Sequence, residues 1–258
     1  MQKNNVLYEE MRPDEFLERL NHCPIAYLPL GTLEWHGLHL PLGSDSLQSK
    51  GFFKALAERI GGIVLPTLFL GPDTKISQEE FDYIGMDVHS FERESIQQLD
   101  GSAYYIEDEL FINILEATLK NLSRAGFKIV VAHGHGPSTN IFRKFIPKFE
   151  KQFDLKLFEL WQLGGKGNEG IMTDHAAFNE TSLMLGLYSE LVDLEKLSDE
   201  TMVGIWGDDP RATSKEEGKR IIESNLSLVG SKLQNELSTL SWPKRTMNYT
   251  NVVKLYNP

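Results

Sequence analysis

Apolar residues along the chain fall into two patterns, short continuous runs and longer segments in which they recur at helical spacing. The short runs are typical of strands buried in a parallel sheet, and they lie at residues 25–30, 63–68, 127–132 and 155–161. The helical spacing predicts helices at residues 13–20, 45–60, 105–125, about 175–190 and 215–239, and one more beginning near Ser138 or Thr139. Residues 71–103 follow neither pattern, so they form either a functional loop or short elements that the sequence does not define.

Strands and helices that alternate along a chain are typical of a parallel sheet covered by helices on both faces. The sequence therefore predicts an α/β fold, a three-layer α/β/α sandwich around a largely parallel sheet. We expect residues 1–258 to form a single domain, in which residues 241–258 could make an irregular C-terminal strap.

Composition restricts the classes of function that fit this fold. The formal net charge of -11 argues against a nucleic-acid partner, while it suits a cationic metal or a neutral substrate. No stretch approaches the roughly 18 consecutive apolar residues of a membrane-spanning helix, and the first residues do not resemble a secretory signal. The expectation is a cytoplasmic protein with no membrane association.

A first polar cluster follows the run at residues 25–30 and contains Glu34, His36, His39 and Asp45. Glu34 and His36 are two residues apart, so in an extended segment their side chains project from the same side. Carboxylate and imidazole groups are the ligands of Zn²⁺, Mn²⁺ or Fe²⁺, and Asp45 could bridge two ions through its two oxygens. The alternative is that Asp45 only caps a helix and that the histidines are ordinary loop residues.

A second cluster, residues 133–136, follows the run at residues 127–132 and alternates histidine with glycine. Ligands gather outside the carboxyl ends of the strands in open α/β sheets, so both clusters should face one crevice. Three segments hold five of the seven histidines, namely His36, His39, His133, His135 and His175. This concentration predicts a metal site, although each segment alone could be a surface turn.

The third segment contains Asp174, His175 and Glu180. His175 and Glu180 fall near one face of a predicted helix, and Asp174 could orient His175 as an outer carboxylate does. In a functional interpretation His175 moves a proton and Glu180 is a further metal ligand or base. In a structural one, Asp174 caps a turn and Glu180 faces solvent.

These residues resemble the motifs of the creatininase family of amidohydrolases. The matching segments occur in family order from about residue 25 to 222, and they are Glu34-x-His36-Gly37-x-His39-Leu40-Pro41-Leu42-Gly43-x-Asp45, Gly134-His135-Gly136, residues 174–182 and residues 204–213. The resemblance implies a compact α/β/α subunit, often assembled into homohexamers, that hydrolyses a small-molecule amide with two metal ions per subunit.

The resemblance also implies the role of each matching residue. Glu34, Asp45 and His135 would hold one ion, while His36 and the bridging Asp45 would hold the other. His175 matches the family histidine that is associated with proton transfer. The predicted function is therefore cleavage of a C–N amide bond in a cyclic amide, formamide or similar substrate by metal-activated water. His175 and Glu180 would be the catalytic residues.

Two departures from the family pattern affect this prediction. The glutamate ligand that creatininase carries two residues after the second-cluster histidine is Pro137 here, so Glu180 or water would replace it, or only one ion binds tightly. Ile171 stands where a tryptophan that encloses creatinine is expected, which argues against creatinine as the substrate. The alternatives are a non-catalytic metal-binding or scaffold protein, a peptide-trimming metallohydrolase and a metallophosphoesterase. The last would need phosphate-binding arginines, for which Arg93 and Arg211 are the candidates.

Overall fold

The computed structural model describes residues 5–78, 80–89, 97–199 and 202–247. The strands in chain order are β1 (Ile25–Leu30), β2 (Ile63–Val64), β3 (Lys75–Gln78), β4 (Phe81–Ile84), β5 (Ile129–Gly134) and β6 (Lys156–Phe158). The helices are α1 (Pro13–His22), α2 (Ser44–Ile60), α3 (Met86–His89), α4 (Asp108–Ala125), α5 (Gly136–Gln152), α6 (Leu160–Leu163), α7 (Phe178–Tyr188) and α8 (Lys215–Ser238).

The four predicted apolar runs form one parallel sheet with the strand order β2-β1-β5-β6. Strands β1 and β5 lie at its centre, and every residue of both is buried. Such strands carry apolar side chains on both faces, which is why they appear as continuous runs in the sequence. Leu30 pairs with Gly134 at the ends of the two central strands, so the loops that follow them start side by side.

Helices cover both faces of this sheet, which confirms the three-layer prediction. One core packs alternate strand residues such as Tyr27 and Val131 against α2, α7 and α8; its helical members include Phe52, Phe53, Leu56, Leu183, Ile221 and Val229. The other core packs Leu28 and Val130 against α4 and α5; its helical members include Phe111, Leu115, Leu119, Phe142 and Phe149. Burial of these two apolar faces is the main stabilising contribution to the sandwich.

The structure changes several predicted boundaries, each for a local reason. The run at residues 63–68 is a strand only over Ile63–Val64, since Pro66 has no backbone N–H for a sheet ladder. The helix expected to start at Ser138 or Thr139 starts at Gly136, directly after His135. The run at residues 155–161 ends early because the Glu159 side chain accepts a hydrogen bond from the Trp161 backbone and caps α6.

The segment without periodicity, residues 71–103, contains short elements in its described part. Strands β3 and β4 form an antiparallel hairpin that is followed at once by α3. Residues 241–247 form no helix or strand, in keeping with an irregular tail, and the rest of the predicted strap lies outside the described residues. Among the helices of the described chain, none has the length and apolar character needed to cross a membrane.

Candidate metal centre

The carboxyl ends of β1 and β5 bring the first two polar clusters together. Leu30 and Gly134 are paired at the end of the sheet, and the His135 backbone N–H donates to the Leu30 carbonyl at 3.4 Å. Gly134 has a φ of +153°, and a side-chain carbon there would lie 1.9 Å from the Leu30 carbonyl oxygen. Only glycine tolerates this approach, so the glycine before His135 sets the position of its ring beside the β1 loop.

Asp45 lies between two histidines and contacts each with a different oxygen. Its Oδ1 is 3.4 Å from His36 Nε2, and its Oδ2 is 3.1 Å from His135 Nδ1. Gly43, not Asp45, occupies the N-cap position of α2, and no side chain caps that helix. The structure therefore contradicts the capping alternative and places Asp45 where a bridging carboxylate would lie.

Two further carboxylates complete the surroundings of these histidines. Glu34 Oε2 lies 3.3 Å from His135 Nδ1, and Glu180 Oε2 lies 3.6 Å from His36 Nε2. Glu180 is held in place because its Oε2 also accepts the Ala176 backbone N–H at 2.8 Å. All five predicted metal ligands are thus brought together; they are Glu34, His36, Asp45, His135 and Glu180.

The potential ligand atoms form three overlapping groups, and within each group all atoms lie within 4.8 Å of one another. The groups are His36 with Asp45 and Glu180, Glu34 with Asp73 and His135, and Glu34 with His36 and His175. Asp73 was not predicted from the sequence. It comes from the loop before β3, and its Oδ2 is 2.9 Å from His135 Nε2.

The donor chemistry of the cluster fits divalent cations. The His36 Nδ1–H donates to the Glu34 carbonyl oxygen at 3.0 Å, which leaves Nε2 directed at the carboxylates. The buried atoms at the site that make no contact of good hydrogen-bond geometry include His36 Nε2, His135 Nε2 and Asp73 Oδ2, although the last two lie 2.9 Å apart. Four buried carboxylates carry a formal charge that two divalent ions would balance, since buried charges need a paired or coordinated counter-charge.

The pKa shifts show that the cluster attracts positive charge. Burial disfavours charge on His36, but the carboxylates of Asp45 and Glu180 outweigh it and raise its pKa from 6.5 to about 10. Burial opposes charge on His135 too, yet Glu34, Asp45 and Asp73 raise its pKa well above 6.5. Burial alone would raise the pKa of Asp45, and the same two histidines hold it well below 3.8. The carboxylates thus favour a positive charge on both histidines.

His175 stands at the edge of this cluster in a neutral state. Its ring lies 4.3 Å from that of His36, and burial and the positive charge on His36 lower its pKa to about 3. The Nε2–H donates to the Trp35 carbonyl at 3.0 Å, which leaves Nδ1 as an acceptor 3.9 Å from Glu34 Oε2. The side chain is 15% exposed, so it can be reached from the cavity.

The structure distinguishes between the two roles considered for Asp174. Its two oxygens accept the backbone N–H groups of Asn179 at 2.6 Å and Glu180 at 3.1 Å, at the start of α7. The His175 ring is oriented instead by the Trp35 carbonyl. Asp174 thus takes the structural role, while Glu180, which the structural interpretation placed in solvent, is only 3% exposed.

Two histidines of the predicted concentration do not belong to the ligand groups. His39 shares a hydrogen bond with the Thr181 hydroxyl at 2.9 Å and connects the β1 loop to α7. His133 is fully buried and packs edge-on against Trp161, with ring centroids 5.0 Å apart. Burial lowers the pKa of both, to about 4 for His39 and about 3 for His133, so they are neutral packing residues.

A cavity of about 1010 Å³ opens onto the cluster, and its wall includes Glu34, Asp45, Asp73, His135, His175 and Glu180. Farther along the wall lie Trp161, Trp206, Arg143 and Lys166. The Arg143 guanidinium lies over the Trp161 ring at 4.9 Å, and its Nε donates to the buried Glu159 at 3.0 Å. No spacing pattern in the sequence indicated that Asp73, Arg143 or Lys166 would reach this cavity.

One of the two arginines named for the phosphoesterase alternative does not support it. Arg211 forms ion pairs with Asp209 at 2.7 Å and with Asp199 at 2.9 Å on the surface. It is therefore occupied away from the candidate metal centre. Arg93 lies outside the described residues.

Comparisons with known proteins show the family to which the chain belongs. The family model described as "Creatininase: Creatinine amidohydrolase" matches residues 9–229. A creatinine amidohydrolase of Pseudomonas putida is 26% identical over 194 residues, which are 68% of this chain and 68% of that protein. A 3-dehydro-scyllo-inosose hydrolase of Thermotoga maritima is 24% identical over 205 residues, which are 74% of this chain and 58% of that protein.

Solved structures show the same fold. A creatinine amidohydrolase (creatininase) has a TM-score of 0.71 at 22% identity, covering 91% of this chain and 98% of that chain. A structure described as "Creatininase Mn" has a TM-score of 0.69 at 22% identity, covering 90% of this chain and 98% of that chain. A mutant creatininase of Zn–Zn type has a TM-score of 0.69 at 23% identity, again covering 90% and 98%. The family model matches most residues of this chain, and the chain therefore belongs to the creatininase family.

Proposed function

We propose that this protein is a metal-dependent hydrolase of amide C–N bonds, acting on a cyclic amide, a formamide or a similar small molecule. The observation that carries the proposal is the position of Asp45, whose two oxygens lie 3.4 Å from His36 Nε2 and 3.1 Å from His135 Nδ1. A carboxylate that reaches two histidines on opposite sides is suited to bridge two ions. His36 and Glu180 would hold one ion, and Glu34 and His135 the other.

The ions would be two per chain, of Zn²⁺, Mn²⁺ or Fe²⁺, since carboxylate and imidazole ligands accept all three. Relatives solved in Mn and Zn–Zn forms support two of these choices. When bound, such ions polarise a carbonyl group and make water a stronger nucleophile at neutral pH.

The residues around the ions would position the substrate and move a proton. His175 begins as a neutral imidazole with Nδ1 free to accept, because its Nε2–H is committed to the Trp35 carbonyl. With a pKa of about 3, it is suited to pass a proton directly from the attacking water to the departing nitrogen and not to store it between steps. Proton transfer of this kind typically contributes about 10²–10⁴-fold to the rate. Glu180 would assist as a ligand, fixed by the Ala176 N–H.

The substrate is expected to be larger than creatinine. The cavity of about 1010 Å³ lies at the upper end of ordinary small-molecule sites. Ile171, at the position of the tryptophan expected to enclose creatinine, is itself buried at 2% exposure. The same volume favours a short peptide as the second candidate substrate class, as in a peptide-trimming hydrolase.

The test is hydrolysis of a substrate panel by metal-loaded protein, before and after chelation and metal return. The panel holds cyclic amides including creatinine, formamides, short peptides and 3-dehydro-scyllo-inosose, the compound in the name of the Thermotoga maritima relative. We expect C–N cleavage of a nitrogen-containing member of the panel, which chelation abolishes and metal restores. Because 3-dehydro-scyllo-inosose holds no nitrogen, turnover of this compound alone would reject amide hydrolysis as the reaction.

The matched variants are His135→Ala and His22→Ala. His135→Ala should remain folded by circular dichroism and lose activity, because it removes a ligand of the metal centre. His22, at the end of α1, lines a separate cavity, so its replacement should leave turnover unchanged. Turnover by His135→Ala close to that of the unmodified protein would rule out the assignment.

A further inference from the structure

Two cationic side chains lie in the outer wall of the main cavity, although the chain as a whole is acidic. The buried carboxylates of the metal centre form the inner wall. Within the described residues, the lysine and arginine side chains of this cavity are Arg143, from α5, and Lys166, from the loop after α6. The net charge of -11 suits neutral or cationic ligands overall, so two cations that face one cavity indicate a local preference for an anion.

Both cations lie against the same residue, Trp161. The guanidinium carbon of Arg143 is 4.9 Å from the centroid of the Trp161 ring, and the Lys166 ammonium group donates to the Trp161 carbonyl oxygen. The indole ring in turn lies close to the metal centre, because a side-chain carbon at Gly136, the residue after His135, would be 4.0 Å from Trp161 Cη2. The two cations therefore lie on the His135 side of the cavity, with the indole ring between them and the metal centre.

Arg143 is held in one orientation while most of its donors stay unused. Its Nε–H donates to Glu159 Oε1 at 3.0 Å, and the other oxygen of this fully buried carboxylate accepts the Trp161 backbone N–H at 2.6 Å. In the described part of the chain no group accepts from the two terminal nitrogens of Arg143, and its side chain is 40% exposed. A fixed guanidinium with two free nitrogens matches the two oxygens of a carboxylate.

The charges around this arginine fit a group with a single negative charge. Arg143 and Lys166 carry two positive charges and Glu159 one negative charge, which leaves one positive charge unbalanced. A carboxylate would balance it, whereas a phosphate group at neutral pH carries about 1.5–2 negative charges. The buried carboxylates of the inner wall repel an anion, so an acidic group would stay with the outer cations while a neutral amide group reaches the metal centre.

We propose that Arg143, with Lys166 beside it, binds a carboxylate at the end of the substrate that is remote from the reacting amide. The substrate class is then amides that carry a carboxylate, such as N-formyl or N-acyl amino acids and short peptides with a free C-terminus. This inference rests on the proposed function, because it requires the amide end to face the metal centre. The competing role for Arg143 is purely structural, as the partner that balances the buried charge of Glu159.

The test is the affinity of the Zn²⁺-loaded full chain for hydroxamates, which bind metal ions through two oxygens, measured by isothermal titration. Three compounds share one carbon chain and differ only at the far end, which is a carboxylate, an alcohol or a phosphate. Several chain lengths are compared. We expect the carboxylate to bind at least about 10-fold more tightly than the alcohol, because hydrogen bonds between charged groups are the stronger ones. It should also bind more tightly than the phosphate.

Variants of the arginine separate substrate binding from a structural role. Arg143→Gln should abolish the preference for the carboxylate and leave the affinity for the alcohol unchanged, a difference that a structural role would not produce. Because this change leaves Glu159 buried without its partner, the double variant Arg143→Gln with Glu159→Gln is measured too, and the same loss of preference is expected. Lys144→Gln removes one positive charge from an exposed position of the same helix and should keep the preference. Thermal unfolding checks that each variant is folded.

The proposal is overturned if the unmodified chain binds the three compounds equally, binds none of them or prefers the phosphate. It is also overturned if the folded double variant keeps the preference for the carboxylate. Hydrolysis of N-formyl amino acids and the other amides is scored separately. A preference for the carboxylate that depends on Arg143, with no hydrolysis of any amide, would reject the proposed function and keep Arg143 as the anion-binding residue. Hydrolysis without that preference would do the reverse.

Discussion

His175 shows how single contacts define a chemical role at the residue scale. Its Nε2–H is bound by the Trp35 carbonyl, and the next residue, Ala176, has a positive φ of 52°. Left-handed backbone in a residue other than glycine costs about 1–3 kcal/mol and is found mainly at functional sites. The strained backbone and the fixed tautomer together hold Nδ1 toward the cavity.

Replacing His175 by Asn should therefore lower turnover without removing the metal. We expect kcat to fall by about 10²–10⁴-fold, the usual contribution of a proton-transferring group. Metal content and unfolding temperature should stay near those of the original protein. Steady-state kinetics with metal analysis of the same sample measures both, and an unchanged kcat would remove His175 from the mechanism.

The residues that sequence could predict are those carried by short, dense motifs. Glu34, His36, Asp45 and His135 follow two buried strands at close spacing, so sheet geometry was enough to bring them together. Asp73 stands alone in a segment without periodicity, and no neighbour marked it as a site residue. For Asp174 the sequence left two roles open, because it does not reveal that the free N–H groups of α7 are nearer to its carboxylate than the His175 ring.

At the scale of elements, the interiors of strands and helices were predictable, and so were some ends, such as both ends of β1 and the last residues of α2 and α4. The ends of β2 and β6 and the start of α5 were not. An apolar run predicts burial, and burial does not stop where a strand's hydrogen bonds stop. The run at residues 155–161 crosses from β6 into α6 with its burial largely maintained, although Glu159 changes the backbone direction. The start of α5 at Gly136 was missed because the preceding glycines gave no helical signal.

The described hairpin β3–β4 is the element that sequence did not define at all. Its strands are mostly exposed and carry mixed polar and apolar residues, so neither pattern of periodicity applies. Its position is set by contacts at its base, where the Gly85 N–H bonds to the Thr74 carbonyl. Backbone hydrogen bonds at the base of a hairpin do not depend on the type of side chain, so the pattern of apolar and polar residues does not reveal them.

At the scale of the whole molecule, the acidic metal centre links stability to pH. In the metal-free protein, burial alone would lower the pKa of His36, but the carboxylates of Asp45 and Glu180 outweigh it and raise this pKa from 6.5 to about 10. The pKa of His135 is also raised, well above 6.5. Protonated, these histidines stabilise the folded state below pH 6.5, and that stability is lost as pH rises toward 10. Burial raises the pKa of Glu180, so its protonated form also stabilises the folded state at low pH, and this stability is likewise lost as pH rises.

The metal-free protein should accordingly unfold more easily at about pH 9 than at about pH 6.5. Bound divalent ions replace the protons, so added metal should stabilise more strongly at the higher pH. Urea unfolding at both pH values, with and without metal, gives the four free energies of unfolding. Equal stability of the metal-free protein at the two pH values would contradict the account.

The creatininase family model matches residues 9–229, and the likeness to a solved creatininase covers 91% of the chain. The assembly state, in contrast, is still a prediction from resemblance. A homohexamer is the expected form, and size-exclusion chromatography with light scattering measures it. The candidate ligand groups described above each consist of side chains of one chain.

The most direct measurement of the central claim is the number of metal ions per chain. The purified protein is loaded with Zn²⁺ or Mn²⁺ and freed of unbound metal. Its metal content is then measured by inductively coupled plasma mass spectrometry. The positions of Asp45 between His36 and His135, and of Glu34, Asp73 and Glu180 around them, predict two ions per chain that a chelator removes. One ion or none under saturating metal would contradict a two-metal hydrolase.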